Sequence, residues 1–261
     1  MKAKKSFGQN WLRDDYVLGK IIESAQLDSS DTVLEVGPGL GTLTRKLLET
    51  DCNVVAVEAD RDLIPILSRT FHNQSKFKLI NQDVLKFDLG TLPRGYKVVA
   101  NIPYYLTSNL IRNFLESDNP PSEMVLLIQK EVAERILARP GQMSVLAFSV
   151  QYYAKPSYIM EVKKELFEPI PKVDSAVIKL SLHQKPLFDA EHQKLFRAVK
   201  AGFGEKRKML RNSLAGGLNI TTAQTEEILK KSNIENTARA QELTMNDWNR
   251  LYTALIADSI I

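Results

Sequence analysis

The strongest constraint on the fold is one junction. The short apolar run Thr32-Val33-Leu34-Glu35-Val36 passes without a linker into Gly37-Pro38-Gly39-Leu40-Gly41, and a helical pattern begins at Thr42. A buried strand that turns on glycines into a helix is a nucleotide-binding unit of doubly wound α/β sheets. Glycine lets the backbone turn tightly and approach a ligand closely. The spacing is GxGxG, not the GxGxxG of the dinucleotide fingerprint. No lysine with a following Ser or Thr stands in P-loop spacing, which argues against a nucleoside triphosphate.

The rest of the chain extends that unit. Strands read at 32–36, 54–58, 77–82, 97–101 and 123–129, separated by helical stretches, so a parallel sheet with right-handed crossovers is expected. Two further strands, near 157–163 and 175–183, lie close in sequence and should form a hairpin, giving a mixed seven-stranded sheet. After Lys185-Pro186 the pattern is helical only, over about 189–201, 206–214, 222–231 and 246–257. Gly202-Phe203-Gly204 and Gly216-Gly217 mark breaks between these helices. The expected organisation is a Rossmann-like α/β domain over 1–185 and a small all-helical domain over 186–261. At 261 residues the chain can bury one large core and a smaller appended one.

Composition removes several function classes. No apolar run is long enough to span a bilayer, and the basic start Met1-Lys2-Ala3-Lys4-Lys5 lacks the apolar region of a secretory signal. The single cysteine, Cys52, excludes an intrachain disulfide framework and a thiolate metal cluster. His72, His183 and His192 are scattered without metal-ligand spacing. No Ser/His/Asp or cysteine nucleophile arrangement stands out. A cytoplasmic, monomeric protein with no metal and no membrane partner is expected. The net charge of +4 is mild support for a polyanionic partner.

Chemistry concentrates at strand ends. Glu58 closes the second strand, where an acid can accept from both hydroxyls of a ribose. Asp83 follows the third and is placed to accept from an adenine amine. At the end of the fourth lies Asn101-Ile102-Pro103-Tyr104. Asn101 can accept one amine N–H through its side-chain oxygen. The constrained turn at Pro103 can hold a carbonyl for the other, and Tyr104 can stack on a flat ring. Tyr105 reads as a core residue or one behind the site. Glycine loop, ribose acid, adenine acid and Asn-x-Pro-Tyr, in that order, fit S-adenosylmethionine as donor and an exocyclic adenine amine as acceptor.

Two further motifs complete the pattern: Phe7-Gly8-Gln9-Asn10-Trp11-Leu12 near the N-terminus, and Phe167-Glu168-Pro169-Ile170-Pro171-Lys172-Val173-Asp174-Ser175-Ala176-Val177. With the donor loop from Glu35 to Thr44 and the Asn101–Tyr104 motif, they make the chain resemble the ribosomal RNA adenine N6-dimethyltransferases almost end to end. Within that family it is most similar to the bacterial small-subunit enzyme, which dimethylates two adjacent adenosines in the 3′-terminal hairpin of 16S rRNA. The resemblance implies a Rossmann-like methyltransferase fold acting on 16S rRNA in an immature small subunit. It implies that Asn10 and Leu12 contact the donor, with Gly37, Gly39, Glu58, Asp83 and Asn101, and that Phe167 closes over the target adenine opposite Tyr104. The chain departs from the commoner family pattern at Trp11, where phenylalanine is usual, and at Ile102, where leucine is common.

Basic residues gather in the helical region. Lys194, Arg197 and Lys200 lead into Lys206, Arg207, Lys208 and Arg211, with Lys2, Lys4 and Lys5 as a second group. Such a run standing alone is more often a solvated helix face; beside an adenine site it reads as phosphate contacts, with Lys206, Arg207, Lys208 and Arg211 as the RNA-binding set. Two rival functions remain open at this level. One is a resistance-type methyltransferase of large-subunit rRNA, in which Asn-Ile-Pro-Tyr also occurs. The other is a non-catalytic RNA-binding assembly factor.

Overall fold

The computed structural model describes residues 9–205 and 207–261. Phe7, Gly8, the lysines at 2, 4 and 5, and Lys206 lie outside the described residues. In chain order the elements are β1 (Trp11–Leu12), α1 (Asp15–Ala25), β2 (Thr32–Val36), α2 (Thr42–Leu48), β3 (Asn53–Glu58), α3 (Ile64–Thr70), β4 (Phe77–Asn81), β5 (Lys97–Asn101), α4 (Thr107–Leu115), β6 (Glu123–Gln129), α5 (Lys130–Ile136), α6 (Val145–Tyr153), β7 (Ala154–Val162), β8 (Phe167–Glu168), β9 (Ser175–Leu182), α7 (His192–Phe203), α8 (Leu210–Leu218), α9 (Thr222–Lys231) and α10 (Met245–Ala257). Short 3₁₀ turns cover Val84–Lys86 and Tyr104–Leu106.

The main sheet has seven strands in the order β4-β3-β2-β5-β6-β9-β7. Strands β4 to β6 run parallel, β9 is antiparallel to β6, and β7 is antiparallel to β9. This is the mixed sheet expected from the sequence. Met124 to Ile128 are all buried, the continuous apolar run of a strand covered on both faces. Pro156 lies on β7, at the sheet edge, where its missing N–H breaks no interior ladder. Helix α1 is capped by Asp14, whose Oδ1 accepts from the Val17 N–H at 2.9 Å. Its apolar stripe of Val17, Leu18, Ile21 and Ala25 joins Val33, Val99, Val125 and Val177 in one core.

The chain divides into two compact units, and the division is not the one expected. The first comprises the described residues up to Glu134 together with Ala154–His183; the second comprises Arg135–Tyr153 together with Gln184–Ile261. An unbroken first domain over 1–185 therefore needs revision. Helix α6 is the reason. Its Phe148 ring centroid lies 5.7 Å from that of Trp248 and 5.8 Å from that of Phe196, inside the core of the helical unit. The Tyr152 hydroxyl donates to the Phe188 carbonyl at 3.0 Å in the same unit.

The double glycine is also used differently. Gly216 and Gly217 lie within α8 rather than after it. A Cβ on Gly217 would stand 2.5 Å from the Ala201 Cβ, so this glycine allows α7 and α8 to approach closely.

Candidate active site

Strand order reverses between β2 and β5, so the crevice beyond their C-terminal ends is the topological switch point where open α/β sheets bind ligands. The cavity there has a volume of about 340 Å³. It is lined by Gln9, Asn10 and Trp11 from the N-terminal segment, Gly37 and Gly39 after β2, and Glu58 at the end of β3. Gln82 and Asp83 after β4, Asn101 at the end of β5 and Ile102 through Leu106 beyond it also line the cavity.

The glycine loop folds as its composition demands. Gly37, Gly39 and Gly41 have φ of 63°, 60° and 80°, the left-handed region that favours glycine. A Cβ on Gly39 would meet the Trp11 indole at 3.0 Å, so the bare Cα seats that ring against the loop.

Glu58 is buried, and both of its oxygens hold the backbone. Oε2 accepts from the Gly39 N–H at 3.2 Å and Oε1 from the Asp60 N–H at 2.8 Å. Burial raises its pKa above the usual carboxylate value, while those two backbone donors pull the other way. Each oxygen keeps a lone pair for a hydroxyl. Asp83 is exposed on the cavity wall and caps the turn after β4, its Oδ1 accepting from the Leu85 N–H at 3.0 Å.

Asn101 Nδ2 donates to the Asn10 carbonyl at 3.1 Å. That bond commits the amide nitrogen to the N-terminal segment and leaves the side-chain oxygen as the acceptor. The Pro103 carbonyl already accepts from the Leu106 N–H at 2.9 Å. It is a shared acceptor rather than a free one. The Tyr104 and Ser175 hydroxyls are 2.7 Å apart, which fixes the Tyr104 ring; burial raises its pKa.

The sequence of this site extends across the chain as one pattern: the family profile described as ribosomal RNA adenine dimethylase matches residues 1–256. The chain belongs to this family. It is 42% identical over 257 residues to a ribosomal RNA small subunit methyltransferase A of Dehalococcoides mccartyi, covering 96% of this chain and 88% of the relative. It is 39% identical to the Clostridioides difficile protein of the same name, covering 96% and 90%. Among solved structures, a dimethyladenosine transferase from Plasmodium falciparum superposes with a TM-score of 0.84 at 27% identity, covering 95% of this chain and 98% of that one. The 23S rRNA methyltransferase ErmE superposes at 0.76, also at 27% identity, covering 95% and 100%. The chain is an S-adenosylmethionine-dependent rRNA adenine dimethyltransferase by family.

Two expected site residues do not reach the cavity. Leu12 is 2% exposed and Phe167 is 3% exposed, and both belong to the core under the sheet. They face each other in the register of the two-stranded sheet β1–β8. Phe167 is thus not among the residues lining this cavity; with Leu12 it clamps the N-terminal segment in place. Of the RNA-binding set, Lys208 pairs with Glu205 at 2.6 Å and Arg211 with Glu226 at 2.8 Å. Arg207 is exposed and makes no ion pair among the described residues.

Sequence reasoning missed other members of the site. Gln9 Nε2 donates to the buried Asp60 at 2.9 Å, a second tie between the N-terminal segment and the end of β3. Ser175 orients Tyr104, and Tyr105 lines the cavity at 60% exposure instead of lying in the core. Gln9 and Ser175 stood inside quoted motifs; nothing local signalled the exposure of Tyr105.

Glu35 lies behind the loop, 1% exposed, with Thr44 Oγ1 donating to its Oε2 at 2.7 Å. Burial is the main reason that its carboxyl is pushed up to about 8 from 4.5; the Thr44 bond opposes the rise and nearby Glu58 adds to it. Between those values the folded chain holds a proton that the unfolded chain has released. Stability therefore falls as pH rises through that window. Glu35→Gln is neutral throughout. It is expected to flatten the dependence of Tm on pH between about 5 and 8 and to raise Tm at pH 8, read by scanning calorimetry. An unchanged slope would assign the dependence to other groups.

Proposed function

We propose that this chain dimethylates N6 of two adjacent adenosines in the 3′-terminal hairpin of 16S rRNA, acting as a monomer on an immature small ribosomal subunit in the cytoplasm. The observation that carries the reading is one cavity shared by the glycine loop, Glu58 and Asp83 on one side and Asn101, Pro103 and Tyr104 on the other. Its volume falls within the range of small-molecule sites. The choice of the small subunit rests on relatives of that name at 39–42% identity, against 27% for the large-subunit enzyme.

The residues present fit S-adenosylmethionine. Gly37, Gly39 and Asn10 would take the methionine end, Glu58 the ribose hydroxyls and Asp83 the adenine amine. When bound, the donor would supply an electrophilic methyl on a sulfonium: the C–S bond breaks as the N6–C bond forms, the thioether leaves neutral without a general acid, and the alkylated amine releases its proton to solvent.

The adenine N6 lone pair is delocalised into the ring and is a poor nucleophile. Asn101 Oδ1 accepts one N6–H. A carbonyl of the Ile102-Pro103 turn accepts the other, either through the second lone pair of Pro103 or through its neighbour on the same wall. Holding both hydrogens favours a pyramidal nitrogen with its lone pair released. Tyr104 stacks on the ring and fixes its plane. The contribution is positioning and electrostatics. The target base must leave its stack to reach this site. Arg207, Lys208 and Arg211, with Lys206, supply phosphate contacts.

The test is methyl transfer from labelled S-adenosylmethionine to unmethylated small subunits, with large-subunit rRNA assayed alongside. Label in dimethyladenosine of the 16S terminal hairpin is expected. Label confined to the large-subunit rRNA would move the chain to the resistance-type reaction, and donor binding without transfer would point to a different RNA target.

A further inference from the structure

Tyr104 and Tyr105 are consecutive residues of one 3₁₀ turn, yet they serve opposite sides of β5. About three residues per turn places neighbouring side chains roughly 120° apart. Tyr104 reaches across to Ser175 at the head of β9, hydroxyl to hydroxyl at 2.7 Å. Tyr105 lies toward β3 and β4. Burial first, and then the nearby carboxylates of Asp83 and Glu58, raise the pKa of its hydroxyl. In the sheet, β3 and β4 stand on one side of β5 and β9 on the other. The Tyr105 ring lines the cavity, is 60% exposed, and makes no hydrogen bond or ring contact with another described residue. A large, rigid ring left uncovered on a cavity wall is placed to receive the flat face of a ligand.

We propose that Tyr105 is a stacking platform for the adenine of the methyl donor, covering the Asp83 side of the site. This rests on the donor reading above. The target adenine already has its own platform in Tyr104, on the β9 side. The acceptor placed for the donor's adenine amine, Asp83, is on the side of Tyr105. Two adjacent tyrosines in one turn thus serve two different adenines, which couples the placement of the donor to the placement of the base it methylates.

The test titrates the intact protein calorimetrically with S-adenosylhomocysteine and with 5′-methylthioadenosine, which carries the adenosine half without the amino-acid end. Tyr105→Ala is expected to raise both dissociation constants by about 5- to 100-fold, the loss of one aromatic–base stack. Tyr105→Phe keeps the ring and should restore affinity for both. In transfer assays Tyr105→Ala should raise the donor KM far more than it lowers kcat. Tyr105→Asn, polar and without an aromatic ring, should behave as the alanine variant does, and thermal melts of all three verify the fold. Unchanged affinity for both ligands in Tyr105→Ala overturns the proposal, as does a rise confined to the KM for RNA, which would seat an RNA base on the ring. A parent protein that binds neither ligand would instead remove the donor reading itself.

Discussion

Asn101→Ala is expected to lower the rate of methyl transfer by on the order of 10²–10³-fold, the usual cost of removing one preorganised hydrogen-bonding group from a reacting centre. The side chain works at both ends. Its nitrogen is held by the Asn10 carbonyl at 3.1 Å, which turns its oxygen into the only amide atom left for the adenine amine. Alanine removes the acceptor and the tie to the N-terminal segment together. Asn101→Asp separates them. A carboxylate still accepts from N6–H, but it cannot donate to the Asn10 carbonyl and repels it. Its rate should therefore lie between those of the parent and the alanine variant. Single-turnover transfer with pre-bound donor reads the chemical step directly, and RNA affinity measured by filter binding should change little in either variant. Full activity in Asn101→Ala would remove the residue from the mechanism. Equal loss in both variants would say that the anchor, not the acceptor, carries the effect.

Much of the fold was legible because parallel strands buried on both faces leave continuous apolar runs. Val54 to Val57 and Met124 to Ile128 can be little else. The strand ends then placed Gly37, Glu58, Asp83 and Asn101 on one edge, and all four line the cavity. Legibility ended where a decision depended on a distant partner. Helix α6 is apolar almost all round, with Ala147, Phe148, Val150 and Tyr152 buried, so its pattern says that it lies in a core and not which one. The β1–β8 pair joins two-residue strands more than 150 positions apart, and strands that short carry no periodicity. That pairing takes Leu12 and Phe167 into the core, where neither lines the cavity. The direction of Tyr105 follows from the 3₁₀ geometry of its turn, which Pro103 begins but does not announce. The Pro103 carbonyl has the same origin: the turn that fixes it also occupies it with the Leu106 N–H.

The glycine loop separates a ligand-bound requirement from a packing requirement, and Gly37→Ala should expose the difference. Gly37 has φ +63°, and a Cβ built there meets nothing within 4 Å. It lines the cavity, so the added methyl enters space that the donor fills. Gly41 has φ +80°, and its Cβ would stand 2.6 Å from the Phe71 ring, which packs with Leu63 and Leu67. A left-handed conformation costs an L-residue about 1–2 kcal/mol. Without ligand, Gly37→Ala should therefore melt only a few degrees early, roughly 2–6 °C, whereas Gly41→Ala adds overpacking and should melt earlier still. Against the donor the order reverses. Forcing a methyl into a filled site costs about 1–3 kcal/mol, so Gly37→Ala should bind S-adenosylhomocysteine about 5- to 150-fold more weakly. The Gly41 change should act on donor affinity mainly through the fold. Thermal melts with and without ligand give both quantities in one experiment, since at a fixed ligand concentration the rise in Tm grows with the logarithm of the affinity for the folded state. A Gly37→Ala protein that keeps the full ligand-induced rise in Tm would place the donor elsewhere than against this loop.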